Sequence, residues 1–266
     1  MKRFIPFVKK EPLVAVIRLS GVIASGGRTG VLSDNATAPM IERAFRKGKP
    51  KAVALALNSP GGSPVQSSLI AARIRRLSQE HDVPVYAFVE DVAASGGYWL
   101  ACAADEIWAD DSSILGSIGV ISAGFGFSDL IERYGVERRV HTAGKSKSIL
   151  DPFRPEKAED LEKLKEIQED IHAAFIDYVK GRRGEKLADQ DLFTGEFWTG
   201  RKAIELGLAD GIGHLKPKMK ERFGDKVQFA VYGPKRGWLS RFGSRLAADI
   251  SAGLFEDRAH WARYGL

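Results

Sequence analysis

Ala52-Val53-Ala54-Leu55-Ala56-Leu57 is apolar at every position and runs straight into Asn58-Ser59-Pro60-Gly61-Gly62-Ser63-Pro64. A strand with one wet face alternates; a run with no polar interruption has both faces covered, which is the condition of a parallel sheet between layers. The helical pattern from about Val65 to Ser78 supplies one cover. The same order then repeats: the apolar run Val83–Val89, the small-residue segment Asp91-Val92-Ala93-Ala94-Ser95-Gly96-Gly97, and a helix through Ala104. Two successive strand, glycine-turn, helix units place both turns at one end of one sheet, where α/β sheets keep their sites. The expected class is therefore α/β.

Ser95 is the reactive group in the second turn. A serine between a strand end and a helix start exposes its hydroxyl, with free backbone N–H groups beside it. Ala-Ser-Gly-Gly serves equally well to let a helix pack closely on a sheet, so the turn needs chemical partners before it means catalysis. Histidine is the usual base for a serine nucleophile. None of His81, His141, His172, His214 and His260 falls in a glycine-rich turn. A lysine can act instead only if burial and neutral partners bring its pKa from about 10.4 towards neutrality, at a cost of about 4 kcal/mol. Lys145 and Lys147 both lie in the polar turn Gly144–Arg154, where solvent exposure is the ordinary state, and spacing alone does not choose between them.

The rest of the chain reads as further elements of the same architecture. Leu13–Leu19 is a strand, Ala36–Lys47 a helix capped by Ser33 or Asp34, and Glu106–Ala109 a short strand. Asp129–Tyr134 reads as a short helix and Glu137–Thr142 as a strand. A long helix is expected to start with Pro155 in its first turn and to reach Arg182, with Leu161, Leu164, Ile167, Ile171, Phe175 and Tyr178 on its apolar face. Phe197-Trp198-Thr199-Gly200-Arg201 is expected to begin a helix to Leu206, capped by Gly207, and Val227–Val231 to form a last strand. Cys102, the only cysteine, excludes an intrachain disulfide and reads as a buried thiol in the helix after Ser95.

The formal net charge of +6 is concentrated at the ends: residues 1–10 carry +4, residues 235–266 carry +3, and the body between carries −1. That distribution argues against nucleic acid as a partner and favours peripheral contact with an anionic membrane surface. Trp238, Phe242, Leu246 and Ile250 form the stripe of a basic amphipathic helix, expected to dock on its own protein or a neighbouring copy, with membrane-surface binding as the alternative. No stretch is long and apolar enough to span a bilayer or to form a signal-peptide core, so the sequence as given is expected in the cytoplasm, at most peripheral at the inner membrane face.

Four motifs occur in register: Asn58-Ser59-Pro60-Gly61-Gly62, Ala94-Ser95-Gly96-Gly97-Tyr98, Gly116-Ser117-Ile118-Gly119 and Lys147-Ser148-Ile149-Leu150-Asp151-Pro152-Phe153. Together they resemble the signal peptide peptidase A family of Ser-Lys peptidases, whose fold is similar to the Clp protease and crotonase folds. The likeness runs from about residue 13 to residue 215 and includes Thr199-Gly200-Arg201-Lys202-Ala203 and Gly207-Leu208-Ala209-Asp210. Carried over by position, it implies Ser95 as nucleophile, Lys147 rather than Lys145 as general base, Ser117 as the hydroxyl that holds the lysine amine, and the N–H groups of Gly61 and Gly96 as the oxyanion hole. It implies no cofactor and no metal.

It also implies that serine and lysine of one site come from adjacent copies, so a single-copy chain is expected to work as a homo-oligomer on extended hydrophobic peptides such as signal-peptide remnants. Family members commonly carry an N-terminal membrane anchor, which this sequence does not show. The organisation expected is a basic tail over residues 1–11, a Ser-Lys peptidase domain over 12–234 and a basic amphipathic extension over 235–266. Two readings compete: a crotonase-like acyl-CoA enzyme, for which Ser95 is dispensable, and a non-catalytic scaffold of the same fold. Similar peptidases also occur in phage capsid maturation.

Overall fold

The computed structural model describes residues 11–26, 31–144, 146–233 and 261–264. The basic residues 1–10 and the amphipathic stripe Trp238 to Ile250 lie outside them.

Strands β1 (Leu13–Ser20), β2 (Ala52–Ser59) and β3 (Val85–Ala94) form the parallel centre of an eight-stranded sheet, with helices α1 (Asp34–Arg46) and α2 (Pro64–His81) between them. The uninterrupted apolar run of β2 is explained by its neighbours. Val53, Leu55 and Leu57 pack with Ile41, Phe45, Ile70 and Ile74 under the helices; Ala52, Ala54 and Ala56 face the other way, in a core with Met219 and Val227. Large residues on one face and alanines on the other let the second layer approach closely. Ser33 caps α1 by accepting from Ala36 N–H, and Asp34 of that helix receives a bidentate pair from Arg73 of α2.

The second half of the chain adds β4 (Glu106–Ala109), β5 (Ile114–Gly116), α4 (Ser128–Arg133), α5 (Ala158–Arg183), β6 (Phe197–Thr199), α6 (Gly200–Glu205), β7 (Gly211–Ile212), α7 (Leu215–Phe223) and β8 (Gln228–Tyr232). The sheet order is β6-β5-β3-β2-β1-β8, with β4 on the first half of β3 and β7 on β4. Helix α7 covers the alanine face of the centre.

Three sequence expectations change. Phe197–Thr199 is a strand antiparallel to β5, not the start of a helix, because Ile114–Gly116 offers it an edge that no local pattern announces. Glu137–Thr142 is not a strand; among the described residues it has no neighbour to pair with, and it is almost wholly exposed. Pro155 precedes α5, which begins only at Ala158 after the cap Lys157.

Among the described residues, helix α5 buries side chains fully only in its second half. Phe175 and Val179 are buried, Arg182 donates to the carbonyls of Cys102 and Ala104, and Arg183 is buried against Gly207 and Asp210. Leu161 and Ile167, on the same apolar face about two to four turns before Phe175, are exposed. The segment before α5 is bare as well: Ile121, Phe125, Tyr134 and Val136 are each more than half exposed, and α4 buries no residue.

Cys102 is fully buried, and burial pushes its thiol up to about 12. A thiolate is the reactive form. The native protein is therefore expected to resist an aromatic disulfide reagent and to release one equivalent of chromophore only on unfolding; prompt reaction of the folded chain would contradict that placement. No helix among the described residues is long and apolar enough to cross a membrane.

Candidate active site

Strand β3 reaches further than its apolar run suggests. Leu57 pairs with Val89 but Ser59 pairs with Ala93, so β3 carries extra residues at Glu90 and Asp91, which are exposed. This irregularity leaves backbone groups without ladder partners, and side chains supply them. Ser113 Oγ donates to the carbonyl of Glu90 at 2.6 Å, and Val92 N–H donates to Asn58 Oδ1 at 3.3 Å. Beyond the kink, Val92–Ala94 leaves β4 and pairs with β5, delivering Ser95 to the end of the sheet.

Ser95 has φ +51° and ψ −121°, a conformation that non-glycine residues rarely hold, and α3 (Gly96–Ala101) starts immediately after it. Strain of this kind costs on the order of 1–3 kcal/mol and concentrates at functional sites. Two glycine contacts enforce the turn. A Cβ on Gly97 would sit 2.4 Å from the Ser59 carbonyl oxygen, and one on Gly96 would sit 2.3 Å from Ser67 Oγ. The close packing of helix on sheet is therefore real, and it is what aims Ser95 outward.

Gly61 is the first turn's contribution. A Cβ there would fall 2.8 Å from Ser95 Cβ and 2.9 Å from Gly96 N, so the backbone of Gly61 lies directly against the serine and against Gly96. The Gly61 N–H donates to Ser59 Oγ at 3.2 Å. Gly62 is held differently, with its Cα against the Ile23 carbonyl in a bridge that also carries Ile23 N–H to Gly61 O and Ser63 N–H to Ile23 O.

Ser117 is the second serine in a left-handed conformation, at φ +52°, and it is buried. Its loop is tied to Ser95 through the backbone, since Ser95 N–H donates to the Gly116 carbonyl at 2.8 Å, while Ser117 N–H donates to Glu196 O at 2.6 Å. Ser117 Oγ accepts from the Tyr264 hydroxyl at 3.3 Å. His172 of α5 meets the next residue, with Nε2 3.2 Å from Ile118 O. Ser95 opens into a cleft of about 650 Å³ walled by Ile23, Gly62, Ser63, Gly119, Val120 and Arg263, among others.

Ser95, Ser117, Gly61 and Gly96 thus converge within one chain, and Lys147 does not join them. It is exposed in the turn between Gly144 and Leu150, with its N–H on the Gly144 carbonyl, and it does not line the Ser95 cleft. Lys145 and His260 lie outside the described residues. Of the other histidines, His81 stacks on Phe45, His141 is exposed and His214 faces Asp110; none lines the cleft. Sequence reasoning missed Arg263 and Tyr264, and no local pattern in Trp261–Tyr264 would have pointed to them.

Residues 78–223, more than half of the chain, match the Peptidase family S49. The chain is 52% identical, over its full length, to a Brucella abortus protein named Na(+)/H(+) antiporter NhaA, of which it spans only 39%. It is 30% identical over 76% of its length to a putative signal peptide peptidase SppA of Enterococcus faecium, covering 60% of that protein. Among solved structures, a lysine-to-alanine variant of the 1510-N membrane-bound stomatin-specific protease, in complex with a substrate peptide, superposes with a TM-score of 0.52 at 14% identity, covering 87% of this chain and 96% of that one. The fold is thus that of a Clp and crotonase-like α/β protein. The matched span includes the strained serine, the second serine and the exposed lysine. This chain belongs to Peptidase family S49.

Proposed function

We propose that the chain is a serine endopeptidase in which Ser95 attacks a peptide carbonyl and Lys147 of an adjacent copy takes the serine proton. The acyl-enzyme is then hydrolysed by water activated by the same amine. Ser117 holds that amine, and the N–H groups of Gly61 and Gly96 face the developing oxyanion, where each donor contributes on the order of 3 kcal/mol at the transition state. The Gly61 N–H exchanges its Ser59 partner for the oxyanion as the intermediate forms.

The single observation that carries this reading is the strained Ser95, lying against Gly61 and bonded through its N–H to the Gly116 carbonyl beside buried Ser117. Sharing the site between copies follows from the exposed lysine turn and from the apolar surface around it. Phe125, Phe127, Leu130, Tyr134 and Phe153 are exposed on one arm, and a cluster of exposed apolar side chains is what an interaction surface presents. Docking of that arm on a neighbour brings Lys147 into a dry, hydrogen-bonded seat. The substrates are extended hydrophobic peptides, with remnants of signal peptides or fragments of membrane proteins as the natural class, and the basic ends draw the enzyme to anionic membrane.

The test is hydrolysis of denatured casein and of lipophilic fluorogenic peptides. Ser95→Ala and, separately, Lys147→Ala are each expected to abolish cleavage while leaving the thermal transition in place. Cleavage that survives the serine replacement overturns the proposal.

A further inference from the structure

Asn58 stands where β2 and β3 fall out of register. Between the pairs Leu57–Val89 and Ser59–Ala93, β2 contains only Asn58 while β3 contains Glu90, Asp91 and Val92. The Asn58 side chain bridges the surplus: Oδ1 accepts the Val92 N–H at 3.3 Å, and Nδ2 donates to Asp91 Oδ2 at 2.5 Å. Its own backbone is fixed from the opposite side, paired with Ser20 of β1 and accepting the Gly21 N–H at 3.0 Å. One planar amide thus grips two consecutive residues of β3 from a main chain that β1 holds. Ser113 holds the other flank of the kink, at the carbonyls of Val89 and Glu90. Gly61 comes three residues after Asn58, and Ser95 three residues after Val92. The bridge therefore ties the two turns together just upstream of the place where Gly61 lies against Ser95.

We infer that Asn58 and Asp91 are a positioning pair for the reaction at Ser95, setting how far the serine stands from the Gly61 N–H. The inference rests on the peptidase reading of Ser95. A strand rises about 3.3 Å per residue, so a kink that slips by a single residue carries the serine that far. A misplacement of about 1 Å already lowers a rate on the order of 100-fold. The role requires an amide at position 58, because one planar group must accept from a main-chain N–H and donate to a carboxylate. A carboxylate at 58 still accepts from Val92, but it faces the Asp91 carboxylate at hydrogen-bond distance, like charge against like. Exchanging the two groups restores the bridge with its polarity reversed: an amide at 91 donates to a carboxylate at 58, which also accepts the Val92 N–H.

The experiment compares the full chain, its Asn58→Asp variant and the double variant Asn58→Asp, Asp91→Asn on a lipophilic fluorogenic peptide. The temperature is one at which thermal melts show all three folded. Asn58→Asp is expected to lose on the order of 100-fold in kcat with KM changed by less than about threefold, a split that general loosening of the fold does not produce. The double variant is expected to recover to within about fivefold of the unmodified protein. Amide hydrogen exchange over Val92–Ser95 is expected to quicken about tenfold or more in Asn58→Asp and to return in the double variant. Unchanged kcat in Asn58→Asp, an effect on KM alone, a double variant no faster than the single one, or equal exchange in all three overturns the inference and leaves the nucleophile standing. An unmodified chain that cleaves nothing overturns the peptidase reading itself, and this inference with it.

Discussion

An equimolar, co-refolded mixture of Ser95→Ala and Lys147→Ala chains is expected to regain about a quarter of the activity of the unmodified protein, although each variant alone falls by on the order of 10⁴-fold or more. The reason is geometric. Ser95 sits at the end of β3 in a cleft that Lys147 of its own chain does not line, while the lysine turn lies beyond an arm on which Phe125, Tyr134 and Val136 are each more than half exposed. If each site takes its serine from one copy and its lysine from the next, random mixing pairs an intact serine with an intact lysine at about one site in four. If each site is built within one chain, every chain in the mixture lacks one of the two groups and recovery is nil. Peptide hydrolysis by the mixture, with mixed particles verified by mass, decides between these outcomes. Nil recovery in particles that contain both chains would sink the shared site.

Arg183→Met is expected to cost about 3 kcal/mol of stability and about 6–12 °C in Tm. Arg183 is 4% exposed and uses its guanidinium at three places: Nε and an amino group donate to the Gly207 carbonyl at 2.9 and 2.7 Å, and the other amino group donates to Asp210 at 2.8 Å. Methionine keeps the stem's packing and removes all donors, which leaves a buried carbonyl unpaired and a carboxylate short of a partner. Burial pushes the Asp210 carboxyl up, but hydrogen bonds from Arg183, Lys186 and the Ile107 N–H outweigh it and hold the group below the usual carboxylate range.

The pH dependence follows. A depressed folded-state pKa contributes stability that is complete above the unfolded value, near 3.9, and is lost as pH falls through the lower folded value. The unmodified chain is thus expected to lose this contribution only below about pH 4, and the variant to show a flatter acid limb in the same window. Thermal melts of both proteins between neutral pH and pH 3 measure it. An unchanged Tm on replacing Arg183 would show that the buried pair carries no stability.

How far each feature was legible depended on where its cause lay. The two glycine turns could be read because a strand covered on both faces admits no polar residue, and Val53, Leu55 and Leu57 do face the helices while Ala52, Ala54 and Ala56 face the opposite core. The length of β3 could not. Glu90 and Asp91 look like the end of a strand, and only pairing with β5, together with the side chains of Asn58 and Ser113 at the kink, carries it on to Ala94. Phe197–Thr199 was misread for the same reason, since its partner strand lies some eighty residues earlier. Glu137–Thr142 failed in the opposite sense, with strand-like composition and no strand to pair with among the described residues.

By itself the sequence determined the α/β class, the place of Ser95 after a buried strand, and the motifs that tie the chain to its family, because hydrophobic period and glycine turns act over a few residues at a time. Only the tertiary structure decided that Gly61 lies against Ser95, that Ser117 is bonded into the same corner, that Lys147 stands away from it in the surface turn, and that Tyr264 lies on Ser117. These are contacts between segments far apart in the chain, and no local pattern encodes a distance that packing sets.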